Sequence, residues 1–184
     1  MSYKVEKLSK NFHERGDFDC GSEEQNKFIK NHAWENYQRG FSVPYVAVEE
    51  SSPKIVCGFY SLAMGRVKRE DTPEDWKDDR TPNYPVPTVL IGQLGVDIEH
   101  QGNGLGRFLL LNAVARGAVT ATEDVAAAAI EVDARNEKAR GFFQKHEFVP
   151  MQDDENHLFL GMSVAKSVAE RVKSTTLSGR LARS

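Results

Sequence analysis

His100-Gln101-Gly102-Asn103-Gly104-Leu105-Gly106-Arg107 places three glycines on alternate positions directly ahead of an apolar run. Glycine lets a backbone turn tightly and come close to a ligand. The first turn of a helix carries N–H groups with no partner inside the helix. Together they make an anion site, and a pyrophosphate is the guest such a turn suits. A Walker loop requires Gly-Lys-Ser/Thr after its last glycine, and Gly106-Arg107-Phe108 lacks it. A Rossmann turn requires Gly or Ala where Arg107 stands and normally opens the first βαβ unit, whereas this segment lies past mid-chain. The plain alternative is a glycine-rich turn that binds nothing.

Groups for proton transfer are scarcer. Glu131 and Asp133, in one β-rich run, are candidate bases, although strand carboxylates are commonly surface charges. Cys20 and Cys57 lie far apart in no metal-like spacing and read as reduced thiols packed as small hydrophobes. His13, His32, His100, His146 and His157 form no HxxxH or HExxH pair, so no metal site is expected. The available cations are Lys27, Lys30 and Arg39, the run Arg66-Val67-Lys68-Arg69, Arg80, and the end of the chain. There Lys166, Arg171, Lys173, Arg180 and Arg183 face Glu170 alone, although the chain as a whole carries −3. A charge run is ordinarily a solvated face, and Asp71, Asp75, Asp78 and Asp79 weaken the patch beside them. Net charge by itself does not favour a nucleic-acid partner.

These groups need elements to hold them. At 184 residues, 40 % hydrophobic and 28 % charged, the chain is long enough for one core and reads as globular. No apolar run is long enough to span a bilayer, and the opening Met-Ser-Tyr-Lys-Val-Glu has no signal core, so the expected compartment is the cytoplasm. A first strand is expected at Tyr3–Leu8. Ser22-Glu23-Glu24-Gln25 has the spacing of a capping box, opening a helix with Ile29, Ala33 and Tyr37 in one row. Val43–Glu49 and Ile55–Met64 read as a hairpin around Ser51-Ser52-Pro53-Lys54. Arg66–Pro87, interrupted by four prolines, is the longest loop-like stretch. Thr88–Asp97 is a strand, and Gln101 onward opens a helix apolar almost all round, hence buried. A strand at Ala128–Ala134, a short helix from Asn136 and a strand at His157–Met162 complete one α/β layer sandwich. Beyond Val164 a helix is expected to begin and then fray at Thr175-Thr176 and Ser178-Gly179.

Gln101-x-x-Gly104-x-Gly106 resembles the Q/R-x-x-G-x-G/A pyrophosphate loop of GNAT acetyltransferases. Leu94-Gly95-Val96-Asp97 looks like that family's fourth strand, and Asn136 to Phe143 is similar to its N-x-x-A-x-x-F-Y helix. The resemblance implies the GNAT fold: a single α/β (α+β) domain with a mixed, mostly antiparallel central sheet flanked by helices. It implies acetyl-CoA as acetyl donor and no metal. It also implies coenzyme contacts at Leu94, Gly95, Val96, Gln101, Gly102, Asn103, Gly104, Leu105, Gly106, Arg107 and Asn136.

Phe18-Asp19-Cys20-Gly21 with the helix after it, and Tyr84-Pro85-Val86-Pro87 before the coenzyme strand, resemble one GNAT branch more closely. That branch comprises toxins of bacterial toxin–antitoxin modules. The resemblance covers roughly 17–163, so the domain is expected over 1–163 with a basic C-terminal tail at 164–184. It implies N-acetylation of the α-amino group of aminoacyl-tRNA, arrest of translation, a ribbon-helix-helix antitoxin and a homodimer. Arg66, Lys68 and Arg69 are candidate RNA contacts. A small-amine or protein acetyltransferase, and a non-catalytic acetyl-CoA-binding module, remain as alternatives. Two positions depart from the family pattern. Phe143 stands where the family has a tyrosine acid, so the form as written is expected to be impaired, whether through engineering or natural variation. Glu147 stands where the family has a glycine, and a left-handed Glu there costs about 1–2 kcal/mol unless the helix ends differently.

Overall fold

A computed structural model describes residues 2–77, 84–123 and 125–181. Asp78, Asp79, Arg80 and Arg183, singled out above for charge, lie outside them, as does part of the stretch Arg66–Pro87. Seven strands form one sheet in the order β1-β2-β3-β4-β5-β7-β6. They are β1 (Tyr3–Lys7), β2 (Val43–Glu49), β3 (Gly58–Val67), β4 (Val86–Val96), β5 (Ala129–Asp133), β6 (Val149–Pro150) and β7 (His157–Gly161). The pairs β1–β2, β2–β3, β5–β7 and β6–β7 are antiparallel, while β4–β5 is parallel. The helices are α1 (Glu23–Lys27), continued by a π-helical segment Phe28–His32 and by α2 (Ala33–Gln38), then α3 (Leu105–Glu123), α4 (Glu137–Gln144) and α5 (Met162–Leu181). Two compact units share this single domain: Met1–Ala63 with Gly92–Ala113, and Met64–Ile91 with Val114–Ser184.

In the first unit the helical row lies over the inner face of β2 and β3. Ile29 and Ala33 are buried with Phe18, Val46, Val48, Val56 and Phe59, and Cys20, Phe28 and Trp34 pack on this cluster. Phe28 stacks on Phe59 and Phe18 meets the same ring edge-on. Fully burying side chains of this size contributes roughly 1.5–3 kcal/mol each. Tyr37 is exposed, so the apolar row is shorter than its spacing suggests. The π-helical turn widens the backbone at Phe28–His32, the kind of local irregularity that often marks a functional region.

In the second unit Val67, Ala129, Met151 and Phe159 form a buried cluster against which Trp76 packs, its ring 5.0 Å from that of Phe159. Trp76 belongs to one of two 3-10 turns, Arg69–Asp71 and Glu74–Trp76, so part of the long proline-interrupted stretch is ordered by this contact. A Cβ on Gly117 would come within 2.7 Å of Ile130, which shows how closely the second half of α3 approaches β5. Asn136 caps α4 by accepting from the Ala139 N–H at 2.9 Å. Glu147, just past α4, adopts φ 70, the left-handed conformation that a glycine would take without strain.

Several expectations need correction. Helix α3 opens at Leu105, and Gln101–Gly104 form turns ahead of it, because Gly102 and Gly104 take φ +79 and +82. Nor is α3 buried all round: Leu105, Leu109, Leu110 and Val114 are buried while Arg107 and Phe108 face solvent. Helix α5 runs to Leu181 rather than fraying at Thr175. Strand β6 was not anticipated, being only two residues long and containing a proline.

Candidate functional site

The glycine turn is exposed from Gln101 to Gly104. The Gly104 carbonyl accepts from the Phe108 N–H at 3.0 Å, the bond that opens α3. Nothing lies within 4 Å of where a Cβ on Gly102 or Gly104 would sit, so the space beside both is open. Helix α3 is 19 residues long, and the aligned dipoles of such a helix place positive partial charge at its first turn. A backbone turned by positive φ, open space and a helix N-terminus suit the pyrophosphate of a coenzyme.

Strand β4 leads into this turn. Its register with β5 runs from Thr88↔Ala129 to Ile91↔Val132, and β4 continues past it through Gly92–Val96. Gly95 is buried, and a Cβ there would fall 2.8 Å from Phe59 Cε1 and 3.4 Å from Cys20 Sγ, so only glycine fits under the core at this point. The Leu94 carbonyl accepts from Gln25 Nε2 at 2.9 Å, and the Val96 carbonyl accepts from Gln101 Nε2 at 2.9 Å.

Phe18–Gly21 is fastened beside this strand end. Asp97 Oδ2 accepts from the Asp19 N–H at 2.9 Å, and the Asp19 carbonyl accepts from the Ile98 N–H at 2.8 Å. Asp19 Oδ1 accepts from the Gly21 N–H and from Asn26 Nδ2, and these bonds hold the Asp19 carboxyl below its ordinary pKa. Asn26 Oδ1 in turn accepts from the Cys20 N–H. Burial raises the Cys20 thiol, which packs against the Phe18–Phe59 cluster. Ser22 makes no side-chain cap to α1, and Gln25 reaches β4 instead of closing a capping box.

The remaining sequence-derived residues belong to the second unit. Phe143 is 7 % exposed and packs against Phe142 and Phe148. Arg66 and Lys68 are exposed, but Lys68 Nζ lies 3.6 Å from Glu70 Oε1, and Arg69 is only partly exposed within its 3-10 turn. Glu131 is not a surface charge: it is 5 % exposed, accepts from Thr88 Oγ1 at 2.8 Å and lies 3.1 Å from His157 Nε2. Asp133 is exposed. Among the described residues no cluster of His, Cys, Asp and Glu could hold a metal ion, and no helix is long and apolar enough to cross a membrane.

The coupling of Gln25, Gln101 and Asp97 to Cys20 and Asp19 was not legible from spacing. The Ser22-x-x-Gln25 pattern was the only local trace, and it pointed to the wrong partner.

Residues 12–148 match the acetyltransferase (GNAT) family, and the chain belongs to that family. It is 33 % identical over 151 residues to the tRNA-acetylating toxin of Mycobacterium tuberculosis, covering 82 % of this chain and 87 % of that protein. Among solved structures it is similar to a tyrosine-to-phenylalanine mutant of KacT, with a TM-score of 0.84 and 25 % identity over 91 % of this chain and 99 % of that one. It is also similar to AtaT complexed with acetyl-methionyl-tRNAfMet, with a TM-score of 0.82 and 25 % identity over the same shares of the two chains.

Proposed function

We propose that this chain is an acetyl-CoA-dependent toxin that N-acetylates the α-amino group of aminoacyl-tRNA and so blocks translation in the cytoplasm. The observation that carries the reading is the open glycine turn at Gly102 and Gly104, standing at the foot of α3 in a GNAT chain. The likeness to the tRNA-acetylating toxin over four fifths of the chain supports the choice of acceptor.

When bound, the coenzyme supplies an acetyl group activated as a thioester. Backbone N–H groups of Gly102 to Arg107 would meet the phosphates, and the end of β4 at Leu94–Val96 would lie along the arm. Gly95 keeps that strand close to Phe59, and Asn136 fixes the start of α4, the element that carries Phe143. An α-amine titrates near ~8, against ~10.4 for a lysine side chain, so such an acceptor depends less on a dedicated base. Arg66, Lys68 and Arg69 are the proposed RNA contacts, with Lys68 already sharing its charge with Glu70. A ribbon-helix-helix antitoxin and a second copy of the chain are the proposed partners, and 164–184 is proposed as a basic appendage to the domain at 1–163.

Phe143 supports a reduced form of the same reading. Its ring has no hydroxyl to donate, so this sequence binds the donor but transfers slowly. Incubation of the Phe143→Tyr form with labelled acetyl-CoA and charged tRNA should place label on the amino acid, released by mild alkaline cleavage of the ester. Label that stays on protein or on a free amine would overturn the acceptor assignment.

A further inference from the structure

Gln101 is the first residue of the glycine segment, and its side chain does not project freely towards the turn. Its Nε2 donates to the Val96 carbonyl at 2.9 Å and to the Cys20 carbonyl at 3.2 Å, so both amide hydrogens are engaged within the protein. Gln25, on α1, does the equivalent two residues earlier on β4. Its Nε2 donates to the Leu94 carbonyl at 2.9 Å, while its Oε1 accepts from Cys20 Sγ at 3.5 Å. In an extended strand, residues two apart turn their main-chain groups to the same edge. Leu94 and Val96 therefore present neighbouring carbonyls, each held by a glutamine amide. Cys20 lies between the two glutamines, and its backbone is fixed through Asn26 and through the Asp19–Asp97 and Asp19–Ile98 bonds. Four hydrogen bonds spanning more than sixty residues of sequence, and the local one from Gln101 to Val96, thus converge on the last residues of β4 and the start of the glycine turn.

We infer that Gln25 and Gln101 are positioning residues for the acetyl donor: they hold the Leu94–Val96 edge in the shape that receives the coenzyme arm, and the Gln101 side chain leaves the phosphates to backbone N–H groups. This rests on the acetyl-CoA reading above. Each glutamine fixes the half-buried strand end beyond Ile91, where the register of β4 with β5 ends. Replacing a glutamine by methionine keeps the volume and removes the donor, which leaves a carbonyl short of its partner. The strand end then samples other conformations, and the cost appears in binding of the arm rather than in binding of the phosphates.

The test compares two probes by calorimetry on the full chain: acetyl-CoA, and 3′-phosphoadenosine diphosphate, which carries the pyrophosphate without the arm. Gln25→Met and Gln101→Met should each weaken acetyl-CoA about tenfold, with 3′-phosphoadenosine diphosphate unchanged. Gln101→Arg, which keeps donors on a long side chain, should restore most of the acetyl-CoA affinity. In the Phe143→Tyr background the same substitutions should raise KM for acetyl-CoA more than they lower kcat. Parallel losses for both probes in Gln101→Met would make that side chain a phosphate ligand and overturn the inference. Equal losses in both variants with a lowered unfolding temperature would overturn it too, because the residues would then serve the fold. Wild-type protein that binds neither probe would sink the coenzyme reading itself, whereas variants that bind both probes like wild type would sink only the positioning role.

Discussion

His157 Nε2 lies 3.1 Å from Glu131 Oε2 across the β5–β7 pair, and His157 Nδ1 lies 2.9 Å from Asp153 Oδ2, so one imidazole is held between two carboxylates. Burial disfavours its charged form. The hydrogen bonds to Asp153 and Glu131, with the charges of Asp153 and Asp133, outweigh burial and raise its pKa above 6.5. A group whose folded pKa is raised contributes stability that is fully present below the unfolded value and disappears as pH rises through the folded value. The unfolding temperature should therefore fall as pH increases from below 6.5 through the folded pKa. His157→Gln should flatten that slope. A wild-type profile that is level over this range, measured by circular dichroism, would contradict the assignment.

Gly65 should be intolerant of substitution, for a steric reason. A Cβ there would overlap Glu131 Oε1 and stand 2.6 Å from Thr88 Oγ1. The glutamate cannot swing aside without losing Thr88 and His157. Gly65→Ala should cost about 1–3 kcal/mol in urea unfolding, the usual range for overpacking a core. The penalty should shrink in a Glu131→Ala background, because the atoms it meets are then absent.

Gly104→Val is expected to separate folding from binding. The residue has φ +82, where an L side chain is strained by roughly 1–2 kcal/mol, yet no atom lies within 4 Å of its Cβ position. The fold should survive while acetyl-CoA binding falls below detection, because the branched side chain fills the space beside the turn. Calorimetry with retained affinity in a folded variant would remove the turn from the coenzyme site.

Phe143→Tyr should raise single-turnover acetylation of charged tRNA by ~10²–10⁴, the usual contribution of a placed general acid. Acetyl-CoA affinity should change little, since the ring is already buried and only an oxygen is added. Equal rates for the two proteins would show that position 143 does not supply the proton.

Arg66, Lys68 and Arg69 replaced together by alanine should weaken tRNA binding and flatten its salt dependence. Lys68 should contribute the least of the exposed pair because it already faces Glu70. An identical salt slope before and after replacement would take this segment off the RNA-binding face.

Much of this molecule was legible in its sequence because short-range patterns encode it. Alternation and turn chemistry located the β2–β3 hairpin, and glycine spacing located the turn before α3. The short helix expected from Asn136 is α4, and the Asn136 side chain caps it. Side-chain destinations were not legible. Gln25 had the spacing of a local cap, yet its amide reaches Leu94, 69 positions away. Glu131 alternates with Ile130 and Val132 as an outward residue would, but the other face of β5 is also covered, so alternation of polarity did not report exposure. Apolar periodicity starts α3 at Gln101, four residues early, since it cannot tell where glycines hold the chain out of the helix.

The overrun of β4 past its register with β5 has a bearing on solubility. A strand edge whose main-chain groups lack a partner strand on that side invites another extended chain to add itself there, and proteins ordinarily blunt such edges. Here the stretch past the register is only Gly92–Val96, with Gly95 itself buried, and the amides of Gln25 and Gln101 sit on two of its carbonyls. They act as edge guards, satisfying the acceptors that a stray strand would seek. Loss of either glutamine should then be felt in storage as well as in binding, with aggregates growing faster in concentrated, ligand-free protein.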